Sequence, residues 1–161
     1  MKGLSDAVRP AAGGYDPGSV AGLLGGRRLL GRSVDSPLDA HAMLLDGLPG
    51  QALAHFIQNL AVLQMTPALE RAMGMSLRTF QRRRDAPAMP LNAEQSGRTW
   101  TFATVLAKAI AVFGSQEAAE RWLERPATGL DRQRPLDLLA TPAGVELVED
   151  FLQRLEYGVY V

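Results

Sequence analysis

The sequence predicts an all-α protein, and three observations carry that prediction. The stretch from about Asn92 to Phe113 places its apolar residues at i, i+3, i+4, i+7, i+8 and i+11, which is the spacing of one helix face. Serine or threonine caps and glycine stops recur from Pro37 onward, as they do where helices follow one another. No alternating apolar and polar stretch is long enough to indicate a sheet. The apolar positions of the long stretch are Phe102, Val105, Leu106, Ala109, Ile110 and Phe113.

Residues 1–37 are predicted to be a flexible arm, because they hold eight of the sixteen glycines. The segment "SVAGLLGG" leaves room for one short apolar helix within this arm. The overlapping stretch "GLLGGRR" at 22–28 is rich in glycine but lacks the Gly-Lys-Ser/Thr of a phosphate-binding loop, so we interpret it as a turn.

Residues 38–114 are predicted to form a run of helices with short connections. "PLDAHAMLLDG" and "PGQALAHFIQNLAVLQ" are the first two. "TPALERAMG" begins at the cap Thr66 and stops at Gly74, and "SLRTFQRRR" follows at once with Ser76 as its cap. The prolines of "PAMP" at 87–90 form a connector, and the long helix then runs to its stop at Gly114.

Residues 115–161 are predicted to form a second, smaller helical region. Ser115 caps "QEAAERWLER", Pro135 opens the short helix "PLDLLA", and Thr141 opens the last helix, which ends at Gly158. Most carboxylates of this region are expected to lie on solvated faces opposite the apolar stripes.

Several kinds of chemistry have no support in the sequence. Cysteine is absent, which excludes disulfides and thiol chemistry and fits an intracellular protein. His41 and His55, the only histidines, lack the spacing of metal ligands. No nucleophile elbow or paired-acid arrangement is recognisable, so we predict no catalytic residues, no metal and no cofactor. No apolar run has the length of a signal peptide or a membrane span, and a cytoplasmic location is expected.

The charge is unevenly distributed, although the formal net charge is zero. Residues 66–84 carry five basic and one acidic side chain, whereas residues 117–161 carry five basic and nine acidic ones. This separation predicts two surfaces with different partners.

The basic segment has the dimensions of a helix-turn-helix, with Leu77 and Phe80 of its second helix predicted to face inward. The opposite face consists of hydrogen-bond donors suited to a DNA major groove, and Arg71 is placed to meet phosphates. A solvated basic face on an ordinary helix is the alternative. Glu70 stands where such motifs often have a small residue, and we expect its carboxylate to hold Arg71 or an arginine of the second helix. The predicted DNA-binding residues are Ser76, Arg78, Thr79, Gln81, Arg82, Arg83 and Arg84.

A helix-turn-helix protein commonly binds two half-sites as a dimer. The apolar stripe of the 92–113 helix is a candidate for the dimer seam. The sequence equally allows that this stripe is intramolecular core.

The last third of the chain resembles a known family. "FGSQEAAERWLERP" and "RPLDLLATPAGVELVEDFLQRLEYGVYV" are similar to the toxin-binding domain of the Xre/MbcA/ParS antitoxins. "GMSLRTFQRR" is similar to the helix-turn-helix of these proteins, and "LLGGRRLLGR" also resembles them. The resemblance covers about residues 20–161 and implies an Xre-like helix-turn-helix region followed by a small helical toxin-binding domain.

The resemblance also implies a function. The partner would be a RES-domain toxin that destroys NAD, held inactive by an antitoxin that is not itself an enzyme. The antitoxin would form a homodimer within a toxin–antitoxin hetero-oligomer, and this complex would repress its own promoter. A stand-alone repressor with a C-terminal dimerisation domain is the alternative.

The chain ends in an apolar, tyrosine-rich tail, which we interpret as a plug that enters the toxin and obstructs NAD. The alternative is a tail folded back onto its own domain. The helix at 142–155 is expected to support the contact, and Glu146, Glu149 and Asp150 are expected to steer it onto a basic toxin surface. The predicted toxin-binding residues are Phe151, Arg154, Leu155, Glu156, Tyr157, Gly158, Val159, Tyr160 and Val161.

Overall fold

A computed structural model describes residues 16–158, and within that range the chain is helical without β-strands. The first six helices are α1 Pro17–Leu23, α2 Gly26–Leu30, α3 Pro37–Asp46, α4 Gly50–Gln58, α5 Pro67–Met73 and α6 Leu77–Asp85. They are followed by α7 Ala93–Phe113, α8 Gln116–Glu124, a 3₁₀ turn at Thr128–Leu130, α9 Pro135–Leu138 and α10 Pro142–Glu156. The all-α prediction is confirmed.

The long helix α7 is the centre of the fold. It packs against α1, α3 and α5 of the N-terminal part and against α8 and α10 of the C-terminal part. Val105, Leu106 and Ala109 are fully buried, and Phe102 meets the ring of Phe56 from α4 edge-on, with centroids 5.8 Å apart. Of the two alternatives for this stripe, intramolecular core is confirmed, and the stripe cannot serve as a dimer seam because the protein's own helices already cover it.

The prediction of a flexible arm over residues 1–37 is wrong for the part that the structure describes. From Asp16 onward the chain forms α1 and α2, and the side chains of Val20, Leu24 and Leu30 are buried. Two of the glycines supply left-handed turns at helix ends, at Gly25 (φ 98°) and Gly31 (φ 73°). Apolar residues between the glycines therefore anchor this segment to the core, while residues 1–15 lie outside the described range.

The predicted helix starts are confirmed by their capping geometry. The hydroxyl oxygens of Thr66, Ser76, Ser115 and Thr141 each accept a hydrogen bond from the backbone N–H three residues later. Each such cap contributes about 1 kcal/mol. These local signals determine where α5, α6, α8 and α10 begin.

Candidate partner-binding surfaces

The basic helix pair turns at Gly74, which has a left-handed φ of 65°. The guanidinium of Arg98, on α7, donates hydrogen bonds to the carbonyls of Arg71 and Ala72 at the end of α5. A Cβ at position 74 would lie only 3.0 Å from that guanidinium. The turn is thus held against α7 by a residue outside the helix-turn-helix segment. The sequence of that segment alone does not indicate this contact.

Glu70 has a different role from the one that we predicted. Its Oε1 accepts a hydrogen bond of 3.2 Å from the backbone N–H of Leu77, at the start of α6. A carboxylate there satisfies an orphan donor and suits the positive end of the helix dipole. Leu77 itself is 40% exposed, so the prediction that its side chain faces inward is wrong, whereas Phe80 is buried as predicted.

The outer face of α6 is cationic. Arg78, Arg82 and Arg84 are exposed, as is Gln81, while Arg83 is half-buried. The other two predicted DNA-binding residues, Ser76 and Thr79, have hydroxyl groups 3.0 Å apart at the helix cap. The structure therefore brings the predicted set together on one short helix and its cap, with Arg78, Arg82 and Arg84 as the exposed cationic groups.

The C-terminal helices are tied to the N-terminal part by a residue that the sequence analysis missed. Glu120, on α8, is fully buried, and its carboxylate accepts hydrogen bonds of 2.8, 3.0 and 2.9 Å from the backbone N–H groups of Ala61, Val62 and Leu63. The side-chain amide of Gln116 donates a fourth, of 2.9 Å. The expectation of solvated carboxylates fails here, because the partners lie in a loop far away in sequence.

Phe151 lies largely within its own domain. Its ring stacks on Trp122 at a centroid distance of 6.0 Å and an interplanar angle of 3°. A Cβ at Gly129 would fall 2.2 Å from the ring, so glycine is needed there for the ring to fit. Phe151 was predicted to bind the toxin, but most of its contact area is used in internal packing.

The terminal helix α10 has two different faces. Gly144, Val148 and Leu152 are buried against the rest of the protein, whereas Leu147 and Tyr157 are 54% and 56% exposed. A Cβ at Gly144 would lie 1.8 Å from the carbonyl oxygen of Leu138. The close approach of α10 to α9 therefore requires a residue without a side chain at position 144.

The other eight predicted toxin-binding residues fall into three groups. Arg154, Glu156 and Tyr157 are exposed at the end of α10, and Leu155 is half-buried. Gly158, which follows the end of the helix, has a left-handed φ of 69°. The remaining three, Val159, Tyr160 and Val161, lie outside the described residues.

The acidic residues of α10 differ in their surroundings. Glu149 forms an ion pair with Lys108 of α7, with Oε1 and Nζ 3.2 Å apart. Glu146 and Asp150 are exposed. Of the three acids that we expected to steer a partner, one is therefore engaged within the protein.

An ion pair between Arg134 and Asp137 lies where α9 packs against α5. The Nε and Nη2 atoms of Arg134 donate to the two carboxylate oxygens of Asp137 at 2.8 and 2.9 Å. This hydrogen bonding, with a smaller contribution from the charge of Arg71 on α5, lowers the pKa of Asp137 below its usual value. Arg71, which was predicted to meet phosphates, thus also acts electrostatically on the C-terminal helices.

Neither a metal cluster nor a bilayer-spanning helix is found in the described part of the chain. No three side chains of histidine or acidic type converge as metal ligands within residues 16–158. No helix in that range is both long and apolar enough to cross a membrane.

Comparison with known proteins identifies a family for the C-terminal helices and relatives for most of the chain. The family described as "Antitoxin Xre/MbcA/ParS C-terminal toxin-binding domain" matches residues 108–158. A protein named Antitoxin Xre from Yersinia enterocolitica is 30% identical over 136 residues, covering 83% of this chain and 91% of the relative. Another from Pseudomonas putida is 30% identical over 76% of this chain and 74% of its own length. A third, from Photorhabdus laumondii, is 29% identical over 82% and 88%. The chain belongs to the Xre/MbcA/ParS family of antitoxins, with a toxin-binding domain at its C-terminal end.

Proposed function

We propose that this antitoxin neutralises a RES-domain, NAD-degrading toxin by placing the end of α10 and the tail that follows over the toxin's active site. The exposed face of α10 carries the proposal. It presents Leu147 and Tyr157, each more than half exposed, within the segment that matches the toxin-binding domain. Exposed apolar side chains rimmed by charged groups are typical of a protein–protein contact.

The geometry at Gly158 supports the occluding role of the tail. Its left-handed φ of 69° departs from the helical conformation of α10, and glycine adopts this conformation at no steric cost. Tyrosine at 157 and 160 supplies a large contact area with few rotamers to freeze. The RES identity of the toxin and its NAD-degrading activity come from the family resemblance.

Deletion of residues 157–161 tests this proposal. The full chain and the truncated chain would each be titrated into the adjacent gene's RES-domain toxin while NAD consumption is followed. The truncated chain should stay folded, because Val148 and Leu152 still anchor α10, and should inhibit much less. A folded truncated chain that suppresses the toxin completely would refute the proposal. An absence of any complex would favour a stand-alone repressor.

We propose in addition that α6 binds operator DNA and represses the antitoxin's own operon. The exposed arginines Arg78 and Arg82 support this proposal, since a guanidinium can donate two hydrogen bonds to guanine in the major groove. The repressor would act as a homodimer on two half-sites, joined by a surface other than the buried stripe of α7. Replacing both arginines by alanine should abolish preference for the promoter, and an unchanged preference in a fluorescence anisotropy titration would contradict the proposal.

A further inference from the structure

The stretch "GLLGGRR" has no role in the function proposed above, yet its two arginines occupy a defined place in the fold. Arg27 and Arg28 lie on α2 and are exposed. The next residue, Leu29, accepts a 3.0 Å hydrogen bond at its carbonyl from the side-chain amide of Gln51 on α4. The position of these arginines relative to α4 is therefore fixed by a direct contact.

The start of α4 is in turn hydrogen-bonded to the connector that follows α6, and α4 packs against α6 itself. The backbone N–H of Gly50 donates to the carbonyl of Met89, and that of Gln51 donates to the carbonyl of Pro87, each at 3.0 Å. A Cβ at Gly50 would lie 3.0 Å from the carbonyl oxygen of Arg83. Packed helices have axes 8–10 Å apart, so α2 lies within about 20 Å of α6 through the shared neighbour α4.

These three helices form a strongly basic unit. Together α2, α4 and α6 contain six arginines and a single acidic residue, Asp85, whereas the rest of the chain has eleven basic and sixteen acidic side chains. A basic surface that continues beyond a recognition helix is the electrostatic footprint expected for a polyanion.

We propose that Arg27 and Arg28 bind the phosphate backbone of the same DNA duplex that α6 reads, an inference that rests on the proposed DNA binding. Guanidinium groups form charge-assisted, often bidentate, hydrogen bonds with phosphate oxygens. Such contacts add affinity and position the protein without reading sequence. Arg27 and Arg28 thus extend the DNA interface, whereas Arg78 and Arg82 select the site.

The test is a salt titration of DNA binding by the full chain. Fluorescence anisotropy would follow binding to a duplex from its own promoter and to an unrelated duplex of equal length. In the proposed homodimer the Arg27→Gln/Arg28→Gln variant removes four phosphate contacts. The magnitude of the slope of log K against log[KCl] should therefore fall by about 3.6 relative to the parent, since each contact contributes roughly 0.9. Its affinity should fall by the same factor for both duplexes.

A matched control removes two exposed arginines from the C-terminal part, Arg125→Gln with Arg132→Gln. This control should keep the parental slope. A parental slope in the Arg27/Arg28 variant, an equal loss in the control, or a loss confined to the promoter duplex would each overturn the inference. If the parent itself shows no salt-dependent DNA binding, the DNA-binding function proposed for α6 fails, and this inference fails with it.

Discussion

Helix α6 and the terminal helix α10 are both amphipathic, but their exposed faces differ in chemistry. The helix α6 buries only Phe80 and exposes arginines. The helix α10 buries a ridge that includes Val148 and Leu152, and it exposes Leu147 and Tyr157 between charged groups. A cationic face attracts a polyanion over distance and is weakened by salt. An apolar face gains affinity only on close contact and desolvation.

A single small core thus carries two surfaces of different chemistry. The helix α7 contacts both halves, and α5 packs against α9 beside the Arg134–Asp137 ion pair. The two proposed partners would therefore be separated by the chemistry of the two surfaces rather than by a flexible linker.

Replacement of Gly144 by alanine should have the largest effect. Because the new methyl group would lie 1.8 Å from the Leu138 carbonyl, α10 must move away from α9. The free energy of unfolding should fall by about 3 kcal/mol. Thermal unfolding followed by circular dichroism should remain one transition, because both halves share α7. Gly97→Ala is the control, since a Cβ there meets nothing within 4 Å and alanine favours the helix. Two separate transitions would show that the halves fold independently.

Glu120→Gln should be the next most damaging change. An amide would turn a donor group toward backbone N–H groups that now share one carboxylate. Leaving buried donors unsatisfied costs about 2 kcal/mol or more. Urea unfolding would measure the loss. Glu117→Gln, which removes an exposed partner of Arg121, should change stability by less than about 0.5 kcal/mol. Equal effects of the two variants would contradict the bridging role of Glu120.

Leu147→Glu should weaken toxin binding without unfolding the protein. Burying a charge where an apolar contact is expected should raise the Kd at least about tenfold, which corresponds to ~1.4 kcal/mol. Calorimetric titration with the toxin would measure the change. The matched control is Leu38→Glu on α3, at a leucine that is 74% exposed. If Leu38→Glu weakens toxin binding and Leu147→Glu does not, the toxin binds elsewhere.

Asp137→Asn should reduce the stability of the fold by the smallest amount, and the reduction should appear at neutral pH but not at low pH. The folded-state pKa of Asp137 is lowered, mainly by the hydrogen bond from Arg134. Its contribution to stability is therefore complete above the unfolded pKa of about 3.9 and is lost as pH falls through the lower folded value. Because the pair is more than one-third exposed, the effect at neutral pH should be less than about 1 kcal/mol. Thermal midpoints of the two proteins should converge at low pH, and a constant difference would contradict this explanation.

Sequence reasoning succeeded where the signal is local. The caps Thr66, Ser76, Ser115 and Thr141 fixed the helix starts because a cap acts on a neighbour three residues away. The exposed arginines of α6 could be anticipated in the same way, from the rotation of one helix.

The failures concern contacts between distant segments. The partners of Glu120 are almost sixty residues away in sequence, so nothing on α8 indicates that this carboxylate is buried. The glycines near Gly25 suggest a flexible segment in the sequence, but Val20 and Leu24 beside them are packed in the core. The helical wheel placed Leu77 inside because it ignores where the neighbouring helices end. Tertiary packing decides each of these positions.

The most direct test is amide hydrogen exchange of the full chain, alone, with the toxin, and with a promoter duplex. The two-surface account predicts that the toxin protects residues 147–161 and leaves 76–84 unchanged. It predicts that DNA protects 76–84 and leaves 147–161 unchanged. Protection of the α6 segment by the toxin, with none at the end of α10, would contradict it.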